Sequence, residues 1–322
     1  MTPAVLIVLD ALVPAATRAR LVGMIEAAAP TARLIVPETP AGALDQAAPA
    51  AVAAGWTLPD GLVERMPRLR WIHAFTAGVD HFVGLPGVRD GRVVLTRTVG
   101  AHTAMPEHVM ALVLAFSRRL HVDIRRQAAH RWDRPAGIGG EVRGQVLGIL
   151  GLGQIGRALA AQAAAFGMRV IGAKRTPDPV PHVERVFPPD RMDEVLREAD
   201  FVVALLPATP ATRGVLGERE FRLMRPTAVF INVARGTILQ EPALLRALRE
   251  GWIAGAGLDV FDAEPLPPDH PLYAFEQVII TPHVAGVTPQ FFDRVAGVFC
   301  ENLRRYAAGE PLQHVVDVSR GY

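Results

Sequence analysis

Residues 144–176 constrain this chain more than any other stretch. An apolar run, Val146-Leu147-Gly148-Ile149-Leu150, leads into Gly151-Leu152-Gly153-Gln154-Ile155-Gly156. A helix-like, alanine-rich segment follows and stops at Gly167, and a second apolar run covers 168–173. Strand, glycine turn, helix and strand make one βαβ unit. In such a unit the first glycine permits the tight turn and the second lets backbone approach a pyrophosphate, while the third lets helix and strand pack closely. The amides at the helix start face the phosphates, helped by the helix dipole. A G-x-G-x-x-G alone is weak, because a glycine turn without a ligand explains it equally well. The strand before it and the helix after it favour dinucleotide binding through Gly151, Gly153, Gln154, Ile155 and Gly156.

The rest of the 322 residues repeats the alternation. Strand-like runs at 4–9, 33–36, 70–75, 93–96, 201–206, 228–232, 254–260 and 278–281 are separated by helical patterns. This predicts an α/β chain with mostly parallel sheets, long enough for two domains. Residues 40–55, rich in Ala and Pro, read as helix and turn, and Pro59-Asp60 offers a helix start. The arginines at 125, 126 and 131 read as a solvated face. Residues 291–306 form an amphipathic helix with Phe292, Val295, Phe299 and Leu303 on one face.

Composition bounds the function. Lys plus Arg exceed Asp plus Glu by 34 − 32 = 2, too little to point to a nucleic-acid or membrane-surface partner. Lys174 is the sole lysine. The sole cysteine, Cys300, excludes a disulfide framework and a cysteine-based zinc cluster, reads as a buried thiol, and leaves no metal site expected. The N-terminus lacks a basic leader and meets Asp10 quickly, so it reads as a strand rather than a signal peptide. No apolar run reaches the roughly 20 residues that span a bilayer, and a cytoplasmic location is expected.

Chemically useful residues fall where strands end: Arg235, Asp259, Glu264 and His283. Open α/β sheets bind ligands at that edge. Reduction of a 2-oxo acid needs a cation to hold the carboxylate and polarise the ketone, which Arg does with its forked donors. It needs a proton donor that titrates near neutrality, which is His. A carboxylate beside that His raises its pKa and orients it. Arg235, His283 and Glu264 supply one of each. Singly, each reads as an ordinary surface or loop residue; together, behind a dinucleotide motif, they read as catalytic.

The chain resembles the D-isomer-specific 2-hydroxyacid dehydrogenase family, in the manner of glyoxylate/hydroxypyruvate reductases. The resemblance rests on Gly151 to Gly156, Asn232-Val233-Ala234-Arg235-Gly236, Leu258-Asp259-Val260-Phe261 with Glu264-Pro265, and Thr281-Pro282-His283. Ala77-Gly78-Val79-Asp80, Pro106-Glu107-His108 and Gly309-Glu310-Pro311-Leu312 add to it. It implies a flavodoxin-like substrate domain, residues 1–97 and 287–322, with an inserted Rossmann cofactor domain, residues 98–286. It implies that Arg235 binds the substrate carboxylate and carbonyl, that His283 is the general acid/base, and that Glu264 pairs with His283. Asp259 would hold the nicotinamide carboxamide, and backbone around Ala77, Gly78 and Val79 would complete the substrate pocket. Pro207, Thr212, Val233, Ala234 and Gly286 are further expected cofactor contacts. A homodimer joined through the cofactor domains is also implied.

One departure is informative. Relatives that use NAD usually end the second strand of the βαβ unit with an acid that grips the ribose 2′-hydroxyl. Here the run is Ile171-Gly172-Ala173-Lys174-Arg175-Thr176. Lys174 and Arg175, with the Thr176 hydroxyl, suit a 2′-phosphate, so NADP is expected in preference to NAD. The alternative reading is a dinucleotide-regulated binding protein of the same fold, like a corepressor. A methyltransferase using the glycine turn for S-adenosylmethionine would leave Arg235, Glu264 and His283 without a reason for their placement.

Overall fold

The computed structural model describes residues 3–9, 13–134 and 138–321, so Asp10 lies outside the described residues. The chain divides into two compact units, Met1–His102 with Thr288–Tyr322, and Thr103–Val287. The divisions fall at 102/103 and 287/288, where 97/98 and 286/287 were expected. Residues 98–102 stay with the first unit for a physical reason. The Thr98 amide donates to the Ala74 carbonyl, Ala101 is buried in that unit's core, and the His102 ring packs on Phe291 at 5.0 Å.

In the first unit, strands β1 (Ala4–Val8), β2 (Arg33–Ile35), β3 (Val52–Gly55), β4 (Trp71–Ala74) and β5 (Val94–Arg97) pair in parallel in the order β2-β1-β3-β4-β5. That is the flavodoxin-like doubly wound order. Alternate residues of each strand feed opposite layers. Val5, Ile7, Val52, Ala54 and Trp71 pack with helix α1 (Ala15–Ala28) and the C-terminal helix Pro289–Ala308. Leu6, Ala53, Ile72 and Leu95 pack on the other side with Ala43 of α2 (Pro40–Gln46). The C-terminal helix starts where the Thr288 hydroxyl accepts the Phe291 amide, and it buries Phe291, Val295, Phe299 and Leu303. Two sequence expectations are corrected here. Residues 52–55 are a central strand, fully buried, and not part of a helix and turn. Past Pro59-Asp60 the chain makes only a 3-10 turn, Val63–Arg65.

A buried polar chain runs through this unit. The Trp71 indole N–H donates to the Thr96 hydroxyl (2.8 Å), which donates to His73 Nδ1 (2.7 Å). His73 Nε2–H donates to the Thr98 hydroxyl (3.3 Å), which donates to the Ala74 carbonyl (3.0 Å). Each hydroxyl has one proton to give, so the chain closes only around a neutral imidazole. Burial, with the charge of His314 a lesser cause, pushes the His73 pKa down to about 3. Between the ordinary value of about 6.5 and about 3, the unfolded chain binds a proton that the folded chain refuses, so stability falls as pH falls. The expected loss approaches 1.4 kcal/mol per pH unit in that window. Denaturant midpoints between pH 7 and 4 check this: the wild type should fall steeply and His73→Gln much less, and parallel curves would reject it.

The second unit holds a seven-stranded parallel sheet of β6 (Val146–Leu150), β7 (Arg169–Ala173), β8 (Arg185–Phe187), β9 (Phe201–Ala204), β10 (Val229–Asn232), β11 (Gly255–Leu258) and β12 (Val278–Ile280). The order β12-β11-β10-β9-β6-β7-β8 is the Rossmann pattern with one strand added at an edge. Leu147, Ile149, Val170, Val203 and Ile231 face helices α3 (Met105–Ser117) and α5 (Gln154–Ala165). Val146, Leu150, Ile171, Val202 and Phe230 face α6 (Met192–Glu198), α7 (Glu218–Leu223) and α8 (Glu241–Glu250). Covered on both faces, these strands read as apolar runs without alternation. Helix α4 (Leu120–Ala128) precedes the loop to β6. Arg125 there is not simply solvated, because its guanidinium donates to the Val278 carbonyl at 2.9 Å. Among the described residues no helix is long and apolar enough to cross a membrane.

Candidate active site

The glycine turn sits where the strand order reverses, between β6 and β9. Gly151 has φ +109°, and a Cβ there would stand 2.6 Å from the Leu205 carbonyl oxygen just after β9. A Cβ on Gly156 would stand 2.3 Å from the Gly151 oxygen, which is the close helix packing expected of the third glycine. Gly153 differs: among the described residues a Cβ there meets nothing within 4 Å, and no side chain caps α5. The turn therefore presents an open, side-chain-free approach to the helix start, led by Gln154 and Ile155, and this fits a pyrophosphate. Beside it, the Thr212 hydroxyl bonds the Pro207 carbonyl (2.6 Å) and accepts the Thr209 amide (2.9 Å), stitching together the loop after β9.

At the end of β7, Arg175 and Thr176 are exposed. Lys174 Nζ lies 3.6 Å from the Asp178 carboxylate, a partner the sequence reading did not place. Asp178 is itself 67% exposed, so this pair is weak.

Four strand-end residues of the second unit are brought together. Beyond β10, buried Asn232 shapes the turn: its amide donates to the Arg235 carbonyl (2.9 Å) and its oxygen accepts the Ala234 amide (3.1 Å). Val233 and Ala234 are buried within that turn. Gly236 follows with no room for a side chain, since a Cβ would stand 1.9 Å from the Phe261 carbonyl carbon. This backbone contact sets the Arg235 turn directly on the loop after β11. In that loop Glu264 Oε1 accepts the Phe261 amide at 2.8 Å. Glu264 Oε2 accepts the Nδ1–H of His283 at 2.7 Å.

His283 has φ +54°, unusual for a residue with a Cβ. Asp259 holds it there. The His283 amide donates to the Asp259 carbonyl (2.8 Å), and the amides of Val284 and Ala285 donate to the two carboxylate oxygens (3.0 and 2.9 Å). The Thr281 hydroxyl donates to Oδ1 as well, at 2.5 Å. Asp259 is 1% exposed, and its carboxylate braces the loop after β12, which includes buried Gly286.

The hydrogen bond to Glu264 raises the His283 pKa, with the Glu264 and Asp259 charges aiding and burial and Arg235 opposing. For Glu264 burial is the largest influence and acts upward. The hydrogen bonds from His283 and the Phe261 amide, with the charges of His283 and Arg235, outweigh it and hold the carboxyl below its ordinary value. Arg235 thus lies near enough for its charge to act on both partners. With Nδ1 committed to Glu264, Nε2 is left to carry an exchangeable proton on a half-exposed ring.

In the first unit, Ala77, Gly78 and Val79 follow β4. The Thr76 hydroxyl donates to the Gly78 carbonyl (2.5 Å), Arg97 donates to the Ala77 carbonyl (3.1 Å), and Val79 is buried. The supporting roles of Arg97, Asn232, Thr281 and Gly236 escaped the sequence reading, because only the tertiary arrangement shows what each touches.

A Rossmann sheet with an open glycine turn and an Arg, His and Glu grouped at its strand ends defines a nicotinamide-dependent dehydrogenase. Residues 110–285 match the family described as D-isomer specific 2-hydroxyacid dehydrogenase, NAD binding domain. The glyoxylate reductase of Aeropyrum pernix is 39% identical over 264 residues, 80% of this chain and 78% of that one. The glyoxylate reductase of Thermococcus gammatolerans is 37% identical over 262 residues, 78% and 77% of the two chains. The crystal structure of the NADPH-dependent glyoxylate/hydroxypyruvate reductase of Sinorhizobium meliloti, in complex with NADP and sulfate, is similar over 100% of both chains with TM-score 0.88 and 30% identity. The chain belongs to the D-isomer specific 2-hydroxyacid dehydrogenase family, and it is an NAD(P)-dependent oxidoreductase.

Proposed function

We propose that the chain reduces a small 2-oxo acid, of the size of glyoxylate or hydroxypyruvate, to the D-2-hydroxy acid, with NADPH preferred to NADH. The observation that carries this reading is the 2.7 Å His283–Glu264 pair with Arg235 acting on both. The bound reduced dinucleotide supplies the hydride. Arg235 holds the substrate carboxylate and draws electron density from the ketone. His283, kept protonated by Glu264, gives its Nε2 proton to the oxygen as negative charge develops there. Glu264 retains its charge throughout and fixes the ring by Nδ1. Asp259, its carboxylate engaged by the loop after β12, keeps His283 in place, and its remaining acceptor capacity on Oδ2 suits the carboxamide expected beside it. The names of the relatives in Aeropyrum pernix and Sinorhizobium meliloti support the substrate class, and the latter supports the cofactor.

The cofactor preference rests on Lys174, Arg175 and Thr176. A 2′-phosphate outcompetes exposed Asp178 for Lys174 because it carries more charge and three acceptor oxygens. Oxidation of NADPH and NADH should be followed with a panel of 2-oxo acids. NADPH is expected to give the higher kcat/KM, and Lys174→Ala with Arg175→Ala to lower that preference by about tenfold or more. As the sole lysine, Lys174 also offers a direct probe. NADP should protect its amine from acylation better than NAD does. A clear NADH preference, or equal protection, counts against the assignment.

A further inference from the structure

We propose that His108 is a positioning residue for His283, acting through Thr281 and Asp259. The proposal rests on the catalytic reading of His283 given above. His108 belongs to the first turn of α3, where its amide donates to the Ala104 carbonyl at 3.0 Å, and its ring is largely covered. Its Nε2 lies 3.2 Å from the Thr281 hydroxyl and 3.9 Å from Asp259 Oδ1. The polarity of this chain follows from the end that can only accept. The Asp259 carboxylate takes the Thr281 proton, so the Thr281 oxygen accepts from His108, and His108 carries its proton on Nε2.

The chain ends at the group that holds His283. Asp259 binds the amides of Val284 and Ala285 through its side chain and that of His283 through its carbonyl. Those three bonds keep His283 in the left-handed region, which a residue with a Cβ does not favour by itself. A threonine hydroxyl rotates among staggered positions unless both its bonds are made. His108 fixes that rotor from one side and Asp259 from the other. Removing the His108 donor frees the hydroxyl, loosens one of the bonds to Asp259, and gives the His283 backbone room to relax away from φ +54°. A proton donor displaced by a fraction of an ångström loses rate without losing substrate affinity.

The test compares His108→Leu, His108→Gln, Thr281→Val and the double variant His108→Leu/Thr281→Val. His108→Leu is expected to lower kcat by about tenfold or more, with KM for the 2-oxo acid and Kd for NADPH within about twofold of wild type. His108→Gln, which restores an N–H donor, should recover most of the loss, and the double variant should be no worse than Thr281→Val alone. A His108→Leu enzyme with wild-type kcat, a glutamine variant as poor as leucine, or losses that multiply in the double variant each overturn the proposal. If His108→Leu does not fold, Thr281→Val and His108→Gln decide: Thr281→Val at wild-type kcat overturns it. Amide hydrogen exchange tests the same chain without turnover. Val284 and Ala285 should exchange about tenfold faster in His108→Leu and return towards wild type in His108→Gln. Unchanged exchange overturns the proposal. A wild-type chain that turns over no 2-oxo acid would instead overturn the reaction assigned above, and the exchange measurement would still decide the role of His108.

Discussion

Replacing His283 by alanine is expected to cut kcat for 2-oxo acid reduction by about a thousandfold or more, while NADPH binds nearly as tightly as in wild type. The cause is charge. As hydride arrives at the ketone carbon, the oxygen gains negative charge, and neutral solvent is a poor proton source near neutrality. His283 has one nitrogen bound to Glu264 at 2.7 Å and its pKa raised by that bond, so the other nitrogen is charged with a proton when the oxygen needs one. Alanine removes the donor and leaves Glu264 without its imidazole partner. Stopped-flow absorbance of NADPH separates the two quantities, binding from the fluorescence of the bound cofactor and turnover from its oxidation. Arg235→Ala should differ in kind by also raising KM, since Arg235 is proposed to grip the substrate in the ground state. A His283→Ala enzyme within tenfold of wild type would remove this residue from the mechanism.

The second large effect is expected from a residue with no side chain at all. Gly236→Ala should destabilise the second unit by about 3 kcal/mol and lower kcat by about a hundredfold in whatever protein folds. A Cβ at this position would lie 1.9 Å from the Phe261 carbonyl carbon, 2.2 Å from the Asp262 nitrogen and 2.3 Å from the Phe261 oxygen. All three are backbone atoms, so no rotamer relieves the clash and one loop must leave the other. The loops in question carry Arg235 and Glu264, and separating them dismantles the pairing of cation, imidazole and carboxylate. Gly153→Ala is the instructive contrast. Among the described residues its Cβ would meet nothing within 4 Å, so the fold should be undisturbed. The methyl would stand where backbone must approach the pyrophosphate, and dinucleotide affinity should fall while thermal stability stays within about 1 kcal/mol of wild type. Thermal melts with and without NADPH check both variants; a Gly236→Ala protein as stable and active as wild type would contradict the geometry.

The fold was readable where periodicity and punctuation agree. Runs such as Val146–Leu150 and Phe201–Ala204 are apolar throughout because both sheet faces are covered, and glycines and prolines mark their ends. Val52–Gly55 was missed for the same physical reason turned around. It is buried on both sides, yet it is built from Val, two Ala and a Gly, residues small enough to fit between layers and mostly poor at declaring a strand. Arg235, Glu264 and His283 stood out as reactive side chains placed just after strands, which is a property of sequence order. Asn232, Thr281 and the bracing bonds of Asp259 did not, because their importance lies in which amides they meet, and those amides belong to other loops. Likewise Asp178 is four residues past Lys174 but outside any regular helix, so spacing alone did not predict the ion pair.

The most direct test of the central claim is the pH dependence of kcat/KM for 2-oxo acid reduction by NADPH, in wild type and in Glu264→Gln. Reduction requires protonated His283, and the folded pKa of that group is raised. The wild-type profile should therefore hold a plateau at and below the ordinary histidine value and fall tenfold per pH unit only above the raised one. Glu264→Gln removes the charge that raises the pKa, so its falling limb should move to lower pH and its plateau should shrink. A wild-type profile flat from mildly acidic to alkaline pH, or a limb that Glu264→Gln leaves where it was, would contradict the assignment of the His283–Glu264 pair as the proton source.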